Sequence, residues 1–132
     1  MTAQIAYTSP AAMAPPGGHY SHAVTASGLI FISGQLPIKP DGTKLIEAPF
    51  EEQARQALDN VAQALLAAGS TIDRLVQVRV YVTNIESWPA FNTIYAEWAG
   101  ASRPARAVVP VPCLHYGFQI EIEAIAVQHG IH

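Results

Sequence analysis

At 132 residues, half of them hydrophobic, the chain fits one domain with a substantial core, whereas two domains of half that length would each be marginal. Only 13% of the residues are charged, and 7 basic against 10 acidic side chains leave a net charge of −3. The basic stripe that drives non-specific nucleic-acid binding is therefore missing, and no apolar run approaches the roughly 20 residues that span a bilayer.

Residues 1–18 are rich in Ala and Pro and end in Pro15, Pro16, Gly17 and Gly18, so they read as an extended leader that joins neither helix nor ladder. The leader has no Lys or Arg ahead of an apolar core and lacks the build of a secretory signal. The one cysteine, Cys113, cannot form an intrachain disulfide, which agrees with a reducing compartment, and the expected location is the cytoplasm. Cys113 lies between Pro112 and Leu114, where it reads as a small turn residue rather than a nucleophile.

From Tyr20 the chain turns β. HAVTA and LIFIS, separated by Ser27-Gly28, predict a hairpin with a two-residue turn. Ser33, Gly34 and Gln35 then put a small side chain, a bare backbone and an amide at the end of an apolar strand, where a ligand can approach the main chain. Pro40 to Thr43 is a turn by composition. Pro49 to Ala68 is the clearest helix, with Phe50, Ala54, Ala57, Leu58, Val61, Leu65 and Leu66 on one stripe and Gly69 as its stop. Leu75 to Val82 is a central strand with Val76, Val78, Val80 and Val82 in phase, leaving Arg79 on a mixed face that suits a structural ion pair. Ser87 as N-cap and Pro89 in the first turn open a second helix, whose Trp88, Phe91, Tyr95 and Trp98 recur at near-helical spacing. Asn92 stands beside that stripe, free to reach a neighbouring subunit's pocket or to face water.

The last third holds the candidate chemistry. Arg106 to Val111 and Phe118 to Val127 read as a closing hairpin, with Pro110 and Pro112 marking the first of these strands as an edge. Fifteen residues separate Arg106 from Glu121, and in such a hairpin a fixed cation and a carboxylate can share one face. The even positions from Phe118 to Ala126 are wholly apolar, while the odd ones run Gln119, Glu121, Glu123, Ile125, Val127. A face that begins polar and ends apolar leaves two readings open: both glutamates are surface acids, or one is part-buried with its pKa raised toward that of a useful base. The element order ββαβαββ indicates an α+β fold, a mixed sheet with two helices on one face and the other face in need of a partner. His19 and His22, a bare pair outside any helix, and the scattered His115, His129 and His132 signal no metal site.

Gly18 and Tyr20, FISGQLPI at 31–38, EEQARQALDNV at 51–61, RPAR at 103–106 and IEIEAIAV at 120–127 resemble, in order and spacing, the RidA (YjgF/YER057c) family of imine and enamine deaminases. The resemblance covers nearly the whole chain. It implies a chorismate-mutase-like fold and a homotrimer with pockets in the clefts between subunits. It implies hydrolysis of 2-imino or 2-enamino acids to 2-oxo acids and ammonia without metal or organic cofactor. By position, Arg106 corresponds to the arginine that grips the substrate carboxylate and Glu121 to the glutamate that activates water. Tyr20, Ser33, Gly34 and Asn92 fall on substrate-binding positions. This chain departs from the family at Val108, where a cysteine is common, at Pro110, where an acid is common, and at His19, where a proline is usual. His22 and the segment LHYGF are also unusual, so the resemblance implies a divergent subgroup whose specificity is written in residues 110–117. Two competing functions are a non-catalytic module binding small acids and a ribonuclease or translation inhibitor, the latter weakened by the missing basic surface.

Overall fold

Period-two alternation and one tight turn build the first half of the sheet. In the computed structural model, which describes residues 4–129, β2 (Ala23–Ala26) and β3 (Leu29–Gln35) pair antiparallel. They meet through Ser27 and Gly28, both at positive φ (52° and 77°), the double left-handed geometry of a type I′ hairpin turn. The leader does not stay outside the ladder, as its proline content led us to expect. Its prolines begin only at Pro10, and the β-prone residues ahead of them form β1 (Ile5–Thr8), which pairs antiparallel with β2.

Helix α1 (Phe50–Ala67) ends at Gly69, whose φ of 88° no side-chain-bearing residue adopts cheaply. Its expected stripe is buried from Phe50 to Leu65, whereas Leu66 is 62% exposed because it falls past the edge of that face. Two polar residues join the stripe unannounced. Gln53, fully buried, donates to the carbonyls of Ile46 and Ala48 and accepts from the Gln119 N–H, and Asn60 donates to the carbonyls of Leu36 and Ile38. These amides dock the loop between β3 and α1 where no ladder satisfies its main chain.

Strand β4 (Leu75–Val82) buries Val78, Val80 and Val82 as expected, but Val76 is 43% exposed. A register irregularity between Leu75 and Gln77 flips the phase there, so Leu75 points inward instead. Arg79 forms the expected structural ion pair, 3.8 Å from Glu123. Helix α2 (Trp88–Ala99) begins without a side-chain cap from Ser87; Asn84 caps the preceding single turn by accepting from the Glu86 N–H. Phe91, Ile94 and Tyr95 are buried, and Gly100 closes the helix at φ 61°.

The last two strands do not form a hairpin. The sheet order is β1-β2-β3-β6-β4-β5, with β6 (Ile120–Val127) inserted antiparallel between β3 and β4 and β5 (Ala105–Pro110) parallel to β4 at the edge. The edge position expected from the prolines is correct; the partner is β4. Both helices and the inward residues of β3, β4 and β6 share one hydrophobic cluster, so one face of this α+β sheet is covered. The opposite face carries Phe31, Gln77, Arg79, Tyr81, Glu121, Glu123 and Ile125, none of them buried. Among the described residues no helix is long and apolar enough to cross a membrane.

Candidate active site

Register alone separates the two residues expected to act together. Arg106 is level with Val78, which faces the helices, while Glu121 is level with Tyr81 on the uncovered face. Side chains of paired residues project to the same side of a sheet. Arg106 and Glu121 therefore lie on opposite faces with β4 between them, and the shared hairpin face does not exist within one chain.

Glu121 opens into a cavity of about 630 Å³ whose walls include Tyr20, His22, Ser33, Gly34, Lys44, His115 and Tyr116. Of the sequence-predicted site residues, Tyr20, Ser33, Gly34 and Glu121 thus meet in one place. The β3–β6 pairing slips between Ile32 and Gln35, and the bare backbone of Gly34 lets the Glu121 carboxylate lie directly against it. A Cβ added at Gly34 would stand 2.6 Å from Glu121 Oε2 and 2.9 Å from its Cδ. Ser33 is held by donating to the Ser21 carbonyl (2.6 Å), and the Tyr20 hydroxyl accepts from the Gly17 N–H (3.2 Å).

The two glutamates of β6 differ sharply in partners. Glu123 accepts from the Tyr81 hydroxyl and pairs with Arg79. Glu121 has no hydrogen-bond or ion-pair partner among the described residues, and burial holds its carboxyl above the ordinary range. The Glu123 charge adds to that rise, while His115 opposes it. A part-buried carboxylate with free lone pairs and a raised pKa is suited to accept a proton.

At the cavity's inner wall, His22 is buried and both its ring nitrogens are engaged: Nε2 lies 2.7 Å from the Ala14 carbonyl and Nδ1 3.2 Å from the Gln35 amide nitrogen. A carbonyl can only accept and an amide nitrogen only donate, so the ring carries its proton on Nε2. Of the two histidines that depart from the family pattern, His22 lines the cavity and His19 is not part of its wall. No pattern in the sequence marks His115, Tyr116 and Lys44 as site residues, although the first two lie in the 110–117 segment where specificity is expected.

Arg106 lies outside this cavity with Asn92, the other predicted site residue. Its guanidinium donates to Asn92 Oδ1 at 3.0 Å and stacks over the Tyr95 ring at 4.9 Å from the centroid, a cation–π geometry that fixes the fork while leaving donors free. A single chain thus presents two half-sites: a carboxylate in a cavity on one face, and an anchored cation near the β5 edge on the other. Among the described residues no group of three or more His, Cys, Asp or Glu side chains is placed to hold a metal.

The family model described as endoribonuclease L-PSP matches residues 11–128. Protein HMF1 of Saccharomyces cerevisiae is 38% identical over 97% of this chain and 95% of its own length. The 2-iminobutanoate/2-iminopropanoate deaminase of Capra hircus is 40% identical over 91% of this chain and 85% of its own. The crystal structure of YyfA from Yersinia pestis, a protein of the conserved Rid family, superposes with a TM-score of 0.90 at 36% identity over 94% of this chain and 99% of that one. With that sequence match along nearly its whole length and the same fold, the chain belongs to the YjgF/RidA family.

Proposed function

We propose that the protein hydrolyses 2-imino and 2-enamino acids to 2-oxo acids and ammonia, as a cytoplasmic homotrimer whose sites lie between subunits. The observation that carries this reading is the Glu121 carboxylate, without a hydrogen-bond or ion-pair partner among the described residues and raised in pKa by burial, lying against the bare Gly34 backbone inside a cavity. A goat relative named as a 2-iminobutanoate/2-iminopropanoate deaminase supports the same chemistry.

In this reading Arg106 of one subunit faces the cavity of the next and grips the substrate carboxylate in a two-pronged hydrogen bond, with Asn92 beside it. The planar C=N carbon is thereby held above Glu121, which takes a proton from the attacking water. The carbinolamine then expels ammonia and leaves a 2-oxo acid. Tyr20, Ser33 and Gly34 shape the wall against which the substrate lies. Opposite-face placement of Arg106 and Glu121 supports a shared site, because one chain alone cannot close both groups on one small molecule. None of these steps calls for a metal, an organic cofactor, nucleic acid or a membrane.

The test is hydrolysis of imino acids generated in situ by an amino-acid oxidase, with wild type and Arg106→Ala. Acceleration by the wild type that falls about 100-fold or more in the variant is expected, since a lost bidentate carboxylate contact removes both binding and orientation. Binding of 2-oxo acids without acceleration would support the non-catalytic module instead. Ribonuclease activity, which the family model's description suggests, would need RNA cleavage that depends on this chain despite its net charge of −3.

A further inference from the structure

The turn between β5 and β6 is held in a backbone conformation that few residues tolerate. Tyr116 has φ 62° and ψ 5°, the left-handed region that a bulky side chain seldom adopts, and Gly117 follows at φ 84°. Such conformations persist only where the surroundings hold them. Here Tyr116 packs edge-on against buried Phe118 (5.9 Å between ring centroids), and the Lys44 ammonium sits 4.9 Å above its ring. The consequence of this clamped turn is the placement of the preceding residue, His115, in the wall of the same cavity as Glu121. Among the described residues neither ring nitrogen of His115 is claimed by a hydrogen bond, in contrast to His22, whose two nitrogens are both occupied.

We propose that His115 is a second proton-transfer group of this site, donating to the imine nitrogen while Glu121 takes the proton of the attacking water. This role rests on the deaminase reading above and deepens it. In the addition step the water oxygen bonds to the C=N carbon, one water proton goes to the Glu121 carboxylate, the π pair moves to nitrogen, and nitrogen takes a proton from the His115 imidazolium. The product is a neutral carbinolamine, with Glu121 protonated and His115 neutral. In the collapse step Glu121 returns its proton to the amine nitrogen, the C–N bond breaks with its pair leaving on ammonia, and the hydroxyl proton passes to His115 as the C=O bond forms. Both groups end as they began. One carboxyl would otherwise have to serve water, nitrogen and hydroxyl in turn.

The electrostatics agree, since His115 stands near enough for its charge to favour the ionised form of Glu121. The other titratable or charged groups facing it are Glu121 and Glu123 on β6, Lys44 from the loop after β3, Tyr116 in its own turn, and Tyr20 and His22 across the cavity.

The experiment is the pH profile of kcat/KM for imine hydrolysis with wild type, His115→Gln and His115→Ala. We expect the wild type to lose activity on an alkaline limb that His115→Gln lacks, a fall of about 100-fold in His115→Gln near the optimum, the scale of one general acid. Added imidazole should partly restore His115→Ala. A His115→Gln enzyme that keeps the wild-type profile, or changes only in KM, would overturn the role while leaving the deaminase reading intact. Absence of acceleration by the wild type would overturn both.

Discussion

At the scale of single residues, the site depends on a close approach that only glycine permits. Gly34→Ala would place its methyl where the Glu121 carboxylate now lies. The flanking pairs Ile32↔Ala124 and Gln35↔Ile122 hold both strands in place, so the side chain must give way. We expect a loss of about 100-fold in kcat with a modest change in melting temperature, measured by imine hydrolysis and thermal denaturation; an unimpaired kcat would refute the positioning. Glu121 also bears on stability. A carboxyl whose pKa is raised by folding binds its proton more tightly in the native state, so its contribution is fully present below the unfolded pKa and lost as pH rises through the folded value. At neutral pH its charge therefore costs stability. Glu121→Gln is expected to be inactive yet to melt slightly higher than wild type at neutral pH, with the difference vanishing as pH falls into the carboxylate range.

At the scale of elements, the loop after β3 is held by side-chain amides in place of a ladder. Gln53 alone satisfies two carbonyls and one N–H from inside the core. Gln53→Ala should cost about 3 kcal/mol in chemical denaturation, because it strands buried main-chain groups and leaves a cavity as well. The same loop supplies Lys44 and Ile38 to the cavity wall, so activity should fall along with stability. Asn60 performs the matching service for Leu36 and Ile38, and Asn60→Asp, which keeps the shape but loses both donors, is expected to destabilise similarly. Neither amide announces itself in the sequence, where both lie among ordinary helix-surface residues.

At the scale of the whole molecule, the separation of Arg106 from Glu121 makes a sharper prediction than either residue does alone. If each site takes Glu121 from one subunit and Arg106 from the next, Arg106→Ala and Glu121→Gln proteins are each inactive but complement when unfolded together and refolded. Random assortment gives an intact pair at about one quarter of the sites, since each of two subunits must be of the right type with even odds. Recovered activity approaching that fraction is the expected result. No recovery, with mixed oligomers demonstrated, would place both residues' work within one chain and refute the shared site.

Local chemistry was enough to read much of this molecule from its residues in order. Ser27-Gly28 specified its turn because two positive-φ positions admit few alternatives, α1 and its stop followed from the apolar stripe and Gly69, and the alternation from Phe118 to Ala126 correctly named the buried face of β6. The family, and with it Tyr20, Ser33, Gly34 and Glu121 as neighbours in one cavity, was legible in short segments kept in order. Strand order was not. β5 and β6 are consecutive and read as a hairpin, yet β6 inserts between β3 and β4, because the alternation names the face a strand buries but not which distant strands flank it under the helices. That one choice put Arg106 and Glu121 on opposite faces, left Glu123 paired with Arg79 and Tyr81, and left Glu121 without a partner among the described residues. The order of residues names the groups available and the elements that carry them; which carboxylate lacks a partner among the described residues is set by folding, because the partners of Glu123 lie more than forty positions away.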